Sequence, residues 1–481
     1  SPMNKGYNKF TTNKLTKFRR PPQVKSSKAQ ILTKFHKIPE IQFEDQQLTS
    51  FSGIVIFQLL FKNLNLKNKL KKCFIHLKVS PIFGHHLILL LLIVHLILGF
   101  KRLREIKYYR DDPMVLRLMG MKSLPDVSTI SRSLSQLDDK SVKNIQNLSR
   151  SFVIDGLHRE QFRRITLDFD GSVLSTRGHA QGSAIGFNKS KKGARSYYPL
   201  FCTVAQTGQF FDMHHRPGNV HDSNGADDFM LNCFKHIKSH LPGVILESRM
   251  DGAFFNKDIV SLMASNKIKF TASVPFARFS ELKQMIEKCE SWRDIDKNWS
   301  YFESQWKPKS WNDDYRFVFI RKKVKKPQKG PLQLDLFEPV SREYQYKVIL
   351  TNKTESAKAI VLFHNGRGSQ ELLFGHAKND TALSLIPCKR LEANQVFTLA
   401  SMMAHNFSRE MQMVAHPAAS RAKAKRPTAW TFQKLETIRR QIIQRAGRLT
   451  RPQGKLTLTM SPNIAVKQDL LFLMDALQKA A

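Results

Sequence analysis

The chain has 481 residues, of which 41% are hydrophobic, so it is too long for one compact core and too apolar for a disordered protein. Its 78 Lys and Arg against 39 Asp and Glu leave a net charge of +39, a field whose natural partner is a polyanion, nucleic acid before an anionic membrane surface. Five cysteines (Cys73, Cys202, Cys233, Cys289 and Cys388) lack CxxC spacing, which argues against a disulfide frame or a structural zinc site and suits a reducing, cytoplasmic compartment.

The first 39 residues carry ten Lys and Arg and no acidic residue before Glu40, with Tyr7, Phe10, Phe18 and Phe35 interleaved. Residues 1–46 are therefore expected to be a flexible basic arm that settles on a phosphate backbone. Helical periodicity follows over residues 47–150, expected to be a DNA-binding and dimerisation region. Within it LILLLLIVHLILGF, residues 87–100, is shorter than the roughly 20 residues that a membrane-spanning helix needs, so it predicts a buried helix and no membrane partner. Pro125 to Leu137 reads as a turn followed by a helix that Ser128 or Thr129 caps.

From residue 163 to 276 the pattern becomes mixed α/β. ITLDFDGSVLS, YYPLFCTVAQ and FFDMHHRPGN read as successive strands, GADDFMLNCFKHIKSHL as a helix, VILESRMDGAF as a strand, KDIVSLMASN as a helix and KFTASVP as a strand. Residues 277–345 hold four of the five tryptophans (Trp292, Trp299, Trp306 and Trp311) and the run RKKVKKPQKG, which predicts a β-rich inserted module. YKVILTNKT resumes strand, and the remainder is mainly helical apart from a terminal strand in GKLTLTMS.

Two aspartates inside ITLDFDGSVLS stand on one face of a strand, because side chains alternate: Leu167 and Phe169 point one way, Asp168 and Asp170 the other. Either the second face is simply solvated, or one aspartate is a metal ligand with partners elsewhere. Asp251, in SRMDGAFF, again ends a predicted strand, where an open α/β sheet places its site. In HNGRGSQELLFGHAK, residues 364–378, helical spacing puts His364, Arg367, Glu371 and Lys378 within a sector of about 60°. Gly366 and Gly368 weaken the first turn, so the helix is expected to begin near Ser369 with His364 and Arg367 on its approach loop. Three converging carboxylates need cations; hard oxygen ligands suit Mg²⁺ or Mn²⁺, and two such ions about 4 Å apart promote phosphodiester displacement. His179, His214, His215 and His221 lack structural-zinc spacing and are expected to be polar neighbours of the site or DNA-facing groups.

These residues resemble the DDE transposases of bacterial insertion sequences, specifically the insertion-sequence thirteen-eighty group of the insertion-sequence-four-like superfamily. LDFDGS resembles that family's LD-x-DST, GHAQGSAIGFN its GH-x-x-GA-x-GYN, RSYYPL its R-x-SYHPL and RPGNVHDSNG its RPGN-x-H-x-x-NG. RMDGAFF resembles the second-aspartate motif R-x-D-S/A-GFF, with Gly252 and Ala253 in swapped order. HNGRGSQELLFGHAK is similar to the Tyr-x2-Arg-x3-Glu-x6-Lys signature, with His364 where tyrosine is usual. PCKRLEANQVFTLASMMAHN and QRAGRLTRPQGKLTLTM extend the likeness over about residues 85–460.

The resemblance implies an RNase H-like catalytic core over residues 163–276 and 346–415, interrupted by the β-rich insertion 277–345, with a helical N-terminal region and a mainly helical, DNA-contacting C-terminal region, 416–481. Asp170, Asp251 and Glu371 become the catalytic, metal-binding triad for two Mg²⁺ or Mn²⁺ ions, and Asp168 a neighbour. Arg367, Lys378 and His364 become DNA contacts. Trp299, Trp306 and Trp311 either stack on a flipped base, as in relatives that form hairpin intermediates, or anchor the inserted module. The implied activity is cleavage and strand transfer at the terminal inverted repeats of a mobile element, on double-stranded DNA, by a homodimer in the bacterial cytoplasm near the nucleoid. Two rival readings are a domesticated DNA-binding protein that no longer cuts and a metal-dependent nuclease on the same core.

Overall fold

The apolar runs between residues 164 and 351 pair into one nine-stranded sheet in this computed structural model, which describes residues 38–78, 82–176, 178–186, 188, 191–221, 223–323, 343–416 and 430–481. The chain divides into two compact units, Ser1–Gln46 and Gln47–Ala481. In the first, residues 38–46 are exposed and form no helix or strand; the rest of the expected arm lies outside the described residues.

The second unit opens with β1 (Leu48–Thr49) and six helices: α1 (Val55–Asn63), α2 (Leu66–Lys72), α3 (His85–Leu98), α4 (Pro113–Met119), α5 (Val127–Ser135) and α6 (Asp139–Glu160). The apolar stretch singled out in the sequence is α3, buried without a break from Ile88 to Leu98. No helix among the described residues is long and apolar enough to cross a membrane. The polar exception inside α3 is His95, whose Nδ1 lies 2.9 Å from the Tyr109 hydroxyl; burial holds its pKa down at about 4, so it is neutral. Asp126 caps α5, its carboxylate accepting from the Thr129 N–H at 2.7 Å, in place of the expected Ser128 or Thr129.

Next come β2 (Arg164–Gly171), β3 (Leu174–Ser175), β4 (Ala184–Ile185), β5 (Arg195–Tyr197), β6 (Leu200–Val204), β7 (Gln209–His214), α7 (Ala226–His240), β8 (Ile245–Met250), α8 (Lys257–Ser265) and β9 (Lys269–Val274). The chain continues through α9 (Ser280–Lys288), β10 (Arg293–Asp294), β11 (Trp299–Trp306), β12 (Tyr315–Lys323) and β13 (Tyr344–Thr351). The large sheet runs β10-β11-β12-β13-β9-β8-β2-β6-β7. β2, β8 and β9 are parallel, as the crossovers through α7 and α8 require, and the other neighbours are antiparallel. On one face Leu167 and Phe169 enter a core with Phe229, Met230 and Phe234 of α7.

Residues 277–345 were expected to be a β-rich insertion, and among the described residues the strands there, β10 to β12, join the main sheet. β12 pairs with β13 over eight residues, and β13 pairs with β9 from Val348↔Val274 to Thr351↔Thr271. Continuous backbone hydrogen bonding therefore makes β10 to β12 an extension of the main sheet. Beside it, β3, β5 and β4 form a small sheet where three of the quoted motifs meet. A Cβ on Gly186 would lie 2.2 Å from the Gly218 carbonyl oxygen, and one on Gly218 would lie 2.3 Å from the Ser196 hydroxyl. Only glycine allows that approach.

The remaining elements are α10 (Ala357–Asn365), α11 (Gly368–Asp380), α12 (Leu391–Ala415), α13 (Leu435–Ile438), β14 (Gly447–Thr450), β15 (Thr457–Met460) and α14 (Ile464–Lys479). α12 is buried along nearly its whole length and shares one hydrophobic core with α1, α3 and α14. β1 pairs with β14, and β14 with β15, so the described residues of 47–150 and 430–481 belong to one packed body.

Candidate active site

Parallel register sets the site. Asp168 on β2 stands opposite Arg249 on β8, the last paired position; Asp170 lies two residues further along β2 and Asp251 two residues beyond Arg249, just past the end of β8, so both follow the C-terminal side of neighbouring parallel strands. Each motif thus supplies two positions on one face, an inner pair and an outer pair. The inner pair is fully buried: Arg249 Nε donates to Asp168 Oδ1 at 2.8 Å, and a second guanidinium nitrogen reaches Oδ2. Burial pushes the Asp168 carboxyl up, and the Arg249 guanidinium opposes that shift. A third Arg249 nitrogen donates to the Phe363 carbonyl at 3.3 Å, tying the end of α10 to the sheet.

The outer pair is only partly buried. Asp251 accepts from the Ala253 N–H at 2.9 Å, which turns the chain sharply after β8, and one Oδ2 lies 3.7 Å from an Arg367 nitrogen. Glu371 is exposed in the first turn of α11, whose third residue Gln370 anchors the helix by donating to the Asp168 carbonyl at 3.1 Å and the Thr203 hydroxyl at 3.0 Å. Lys378, two turns along from Glu371, is half-buried within the field of Asp170; burial lowers its pKa and Asp170 opposes the shift. Asp170, Asp251, Arg367 and Lys378 therefore share one surface. Among the described residues no three His, Cys, Asp or Glu side chains gather closely enough to hold a metal ion.

His364 does not lie on an approach loop. It ends a separate helix, α10, and Arg367 is the hinge between α10 and α11. The imidazole is 1% exposed, with Nδ1 2.9 Å from the Thr271 hydroxyl and Nε2 2.9 Å from the Ser273 hydroxyl, both on β9. Burial drives its pKa well below the usual value, with Lys347, Arg367 and Arg249 adding to the effect. A neutral ring with both nitrogens engaged by hydroxyls of β9 holds α10 on the sheet.

Two of the three tryptophans are likewise engaged in packing. Trp311 stacks on Phe255 at 5.0 Å, four residues after Asp251, and Trp306 packs edge-on against Phe279 and Phe317 while donating to Glu281 at 2.8 Å. Trp299 is partly exposed, with the Lys322 ammonium 5.2 Å above its ring. Sequence reasoning missed Lys347: it is half-buried on β13, its pKa is lowered by burial and by Arg367, and no ion-pair partner stands beside it among the described residues. Its signal was the single cation in YKVILT, on the strand that precedes the His364 helix.

The family model described as "Transposase DDE domain group 1" matches residues 33–481. No curated protein shows significant similarity to the chain. Among solved structures, the chain is similar to the piggyBac transposase in its cryo-electron-microscopy synaptic complex with hairpin DNA, at 12% sequence identity over 81% of this chain and 79% of that one, with a TM-score of 0.42.

Proposed function

Because the chain belongs to the transposase DDE domain group 1 family, we propose that it cleaves DNA at the terminal inverted repeats of a mobile element and joins the freed ends to new DNA, using Asp170, Asp251 and Glu371. The observation that carries this reading is that Asp170 and Asp251 follow the last paired position of two parallel neighbouring strands, with Arg367 3.7 Å from Asp251 and Lys378 in the field of Asp170, at either end of the helix that carries Glu371. The order β7-β6-β2-β8-β9, antiparallel and then parallel, supports an RNase H-like core.

Hard carboxylate oxygens of Asp170, Asp251 and Glu371 fit Mg²⁺ or Mn²⁺ in kind. Two ions held there would activate the attacking oxygen and stabilise the leaving one. The chain's own cations do the rest. Arg367 offers a planar fork and Lys378 a point charge to the scissile phosphate and its neighbours, and Lys347 adds a third cation on the same side. The Asp168–Arg249 pair and His364 fix the carboxylate-bearing elements without touching substrate. Water attacks first and frees a 3′-OH, which then attacks a second phosphodiester. Trp299 remains available to stack on a displaced base, and coupling two DNA ends calls for a dimer.

The test uses a supercoiled plasmid carrying the DNA that natively flanks the gene, incubated with protein and Mg²⁺ beside Asp251→Asn. Metal-dependent cuts at two inverted ends followed by joined products, all absent in the variant, are expected. Nicked or linear DNA without joining identifies a nuclease, and end binding without cutting in either Mg²⁺ or Mn²⁺ identifies a DNA-binding protein.

A further inference from the structure

Helix α11 has a second functional-looking face. Ser369 and His376, two turns apart, lie opposite Glu371 and Lys378, and they line a cavity of about 190 Å³ together with Gln370, Arg409 of α12, Trp430 and Phe432. Arg409 is the anomaly there: its side chain is 8% exposed, and its guanidinium carbon sits 4.3 Å over the Phe432 ring. Among the described residues, its Nε lies 3.5 Å from His405 Nε2. That nitrogen faces the Gly208 carbonyl at 2.9 Å and so carries the ring proton, since burial keeps His405 neutral with a pKa of about 3. A nitrogen that donates cannot accept from Arg409. Among the described residues, no carbonyl or carboxylate accepts a hydrogen bond from this guanidinium.

A buried guanidinium is costly, by several kcal/mol in general, and here the opposing charge is Asp380, which acts on Arg409 without a hydrogen bond. Arg409 nonetheless remains charged at neutral pH, since burial lowers its pKa only to about 10. The same cavity collects other unspent polar groups: both ring nitrogens of His376 and the Gln370 amide oxygen are buried without a partner. Guanidinium and imidazole offer donors, and the walls are aromatic. Water fills such a space but supplies no charge beyond that of Asp380.

We propose that this cavity is an oxyanion site that takes a phosphate group, with Arg409 as its charge partner and His376 as a second donor. The guanidinium fork matches two phosphate oxygens, the neutral imidazole supplies one N–H, and the Gln370 oxygen accepts from a protonated phosphate oxygen or a bound water. The space exceeds a phosphate and leaves room for water at about 30 Å³ each. Occupancy braces from behind the helix that carries Glu371. The site does not depend on DNA cleavage, so its test stands apart from any activity.

Titration calorimetry on the full chain at constant ionic strength tests it, using inorganic phosphate, deoxyadenosine monophosphate and a 5′-phosphorylated single-stranded oligonucleotide, in wild type and in Arg409→Met, which keeps the stem. A saturable site weakened at least about tenfold in Arg409→Met, and partly recovered in Arg409→Lys, is the expected result. Binding of phosphate and the mononucleotide identifies a free phosphate ligand; Arg409-dependent binding of the oligonucleotide alone identifies a DNA strand. Equal affinity in wild type and Arg409→Met, or no saturable binding, overturns the proposal. Independently of how Arg409→Met folds, phosphate should change tryptophan fluorescence in wild type and not in Trp430→Phe; an unchanged response in that variant also overturns it.

Discussion

Asp168 and Asp170 stand two residues apart on one face of β2, and burial separates their roles. Asp168 is sealed against Arg249, so Asp168→Ala leaves a buried guanidinium without its partner and is expected to destabilise the fold by about 3–5 kcal/mol in denaturant melts. Asp170→Asn and Glu371→Gln, at partly or fully exposed positions, are expected to leave melting nearly unchanged while plasmid cleavage falls by at least roughly 10²-fold. Cleavage surviving Glu371→Gln would remove that residue from the triad. The alternation of ITLDFDGS made the shared face legible, but not which aspartate is sealed, because Arg249 is 81 positions away from Asp168. A usable signal was present: aligning Asp170 with Asp251 as strand ends sets Asp168 beside Arg249, opposite charges at matching positions.

Buried histidines give the second residue-scale expectation. The pKa values of His95 and His215 are held down at about 4 and that of His405 at about 3, each by burial, against an ordinary value of 6.5. Below pH 6.5 the unfolded chain takes up protons that the folded chain refuses, so stability is full above that pH and is lost as pH falls toward 4. Each such group contributes a slope of about 1.4 kcal/mol per pH unit once the unfolded histidine is mostly protonated. Melting temperatures taken between pH 7.5 and 5 should fall, and His95→Gln should fall less steeply. Equal slopes would mean that His95 titrates normally.

Among elements, the strands and helices from residue 163 to 276 were legible from their period, because each is an alternating or amphipathic run bounded by turns. The membership of β10 to β12 in the main sheet was not, since it rests on the non-local pairing of β13 with β9. That pairing brings Trp311 against Phe255, behind the turn that carries Asp251. Trp311→Ala should destabilise by about 3–5 kcal/mol and reduce cleavage more than DNA binding, with Trp311→Phe recovering most of both. A stable Trp311→Ala protein with full cleavage would show that the stack does not position Asp251. The His364 helix was misjudged for a related reason: the chain does break at Gly366 and Arg367, but residues on both sides of the break remain helical, which glycine propensity alone does not reveal.

At the scale of the molecule, the charge of +39 predicts DNA binding that weakens steeply with salt. If six to ten phosphates are contacted, affinity should fall by about 10³–10⁵ between 50 and 200 mM salt, and a filter-binding series would read the slope directly. A shallow slope would assign the charge to another role. Composition made this field legible, whereas the joining of the described residues of 47–150 and 430–481 in one core was hidden, because apolar periodicity marks a buried face without naming what buries it.

The order of strands also bears on how the chain is made. β9 leaves the ribosome with β8 as its neighbour on one side, and its other edge stays bare until β13, which begins at Tyr344, has been synthesised. At about 5–20 residues per second that interval lasts several seconds, during which Phe270, Ala272 and Val274 lie along an unprotected strand. Newborn chains in that window are the ones exposed to aggregation, and their yield should depend on chaperone supply and translation speed more than on the stability of the finished fold.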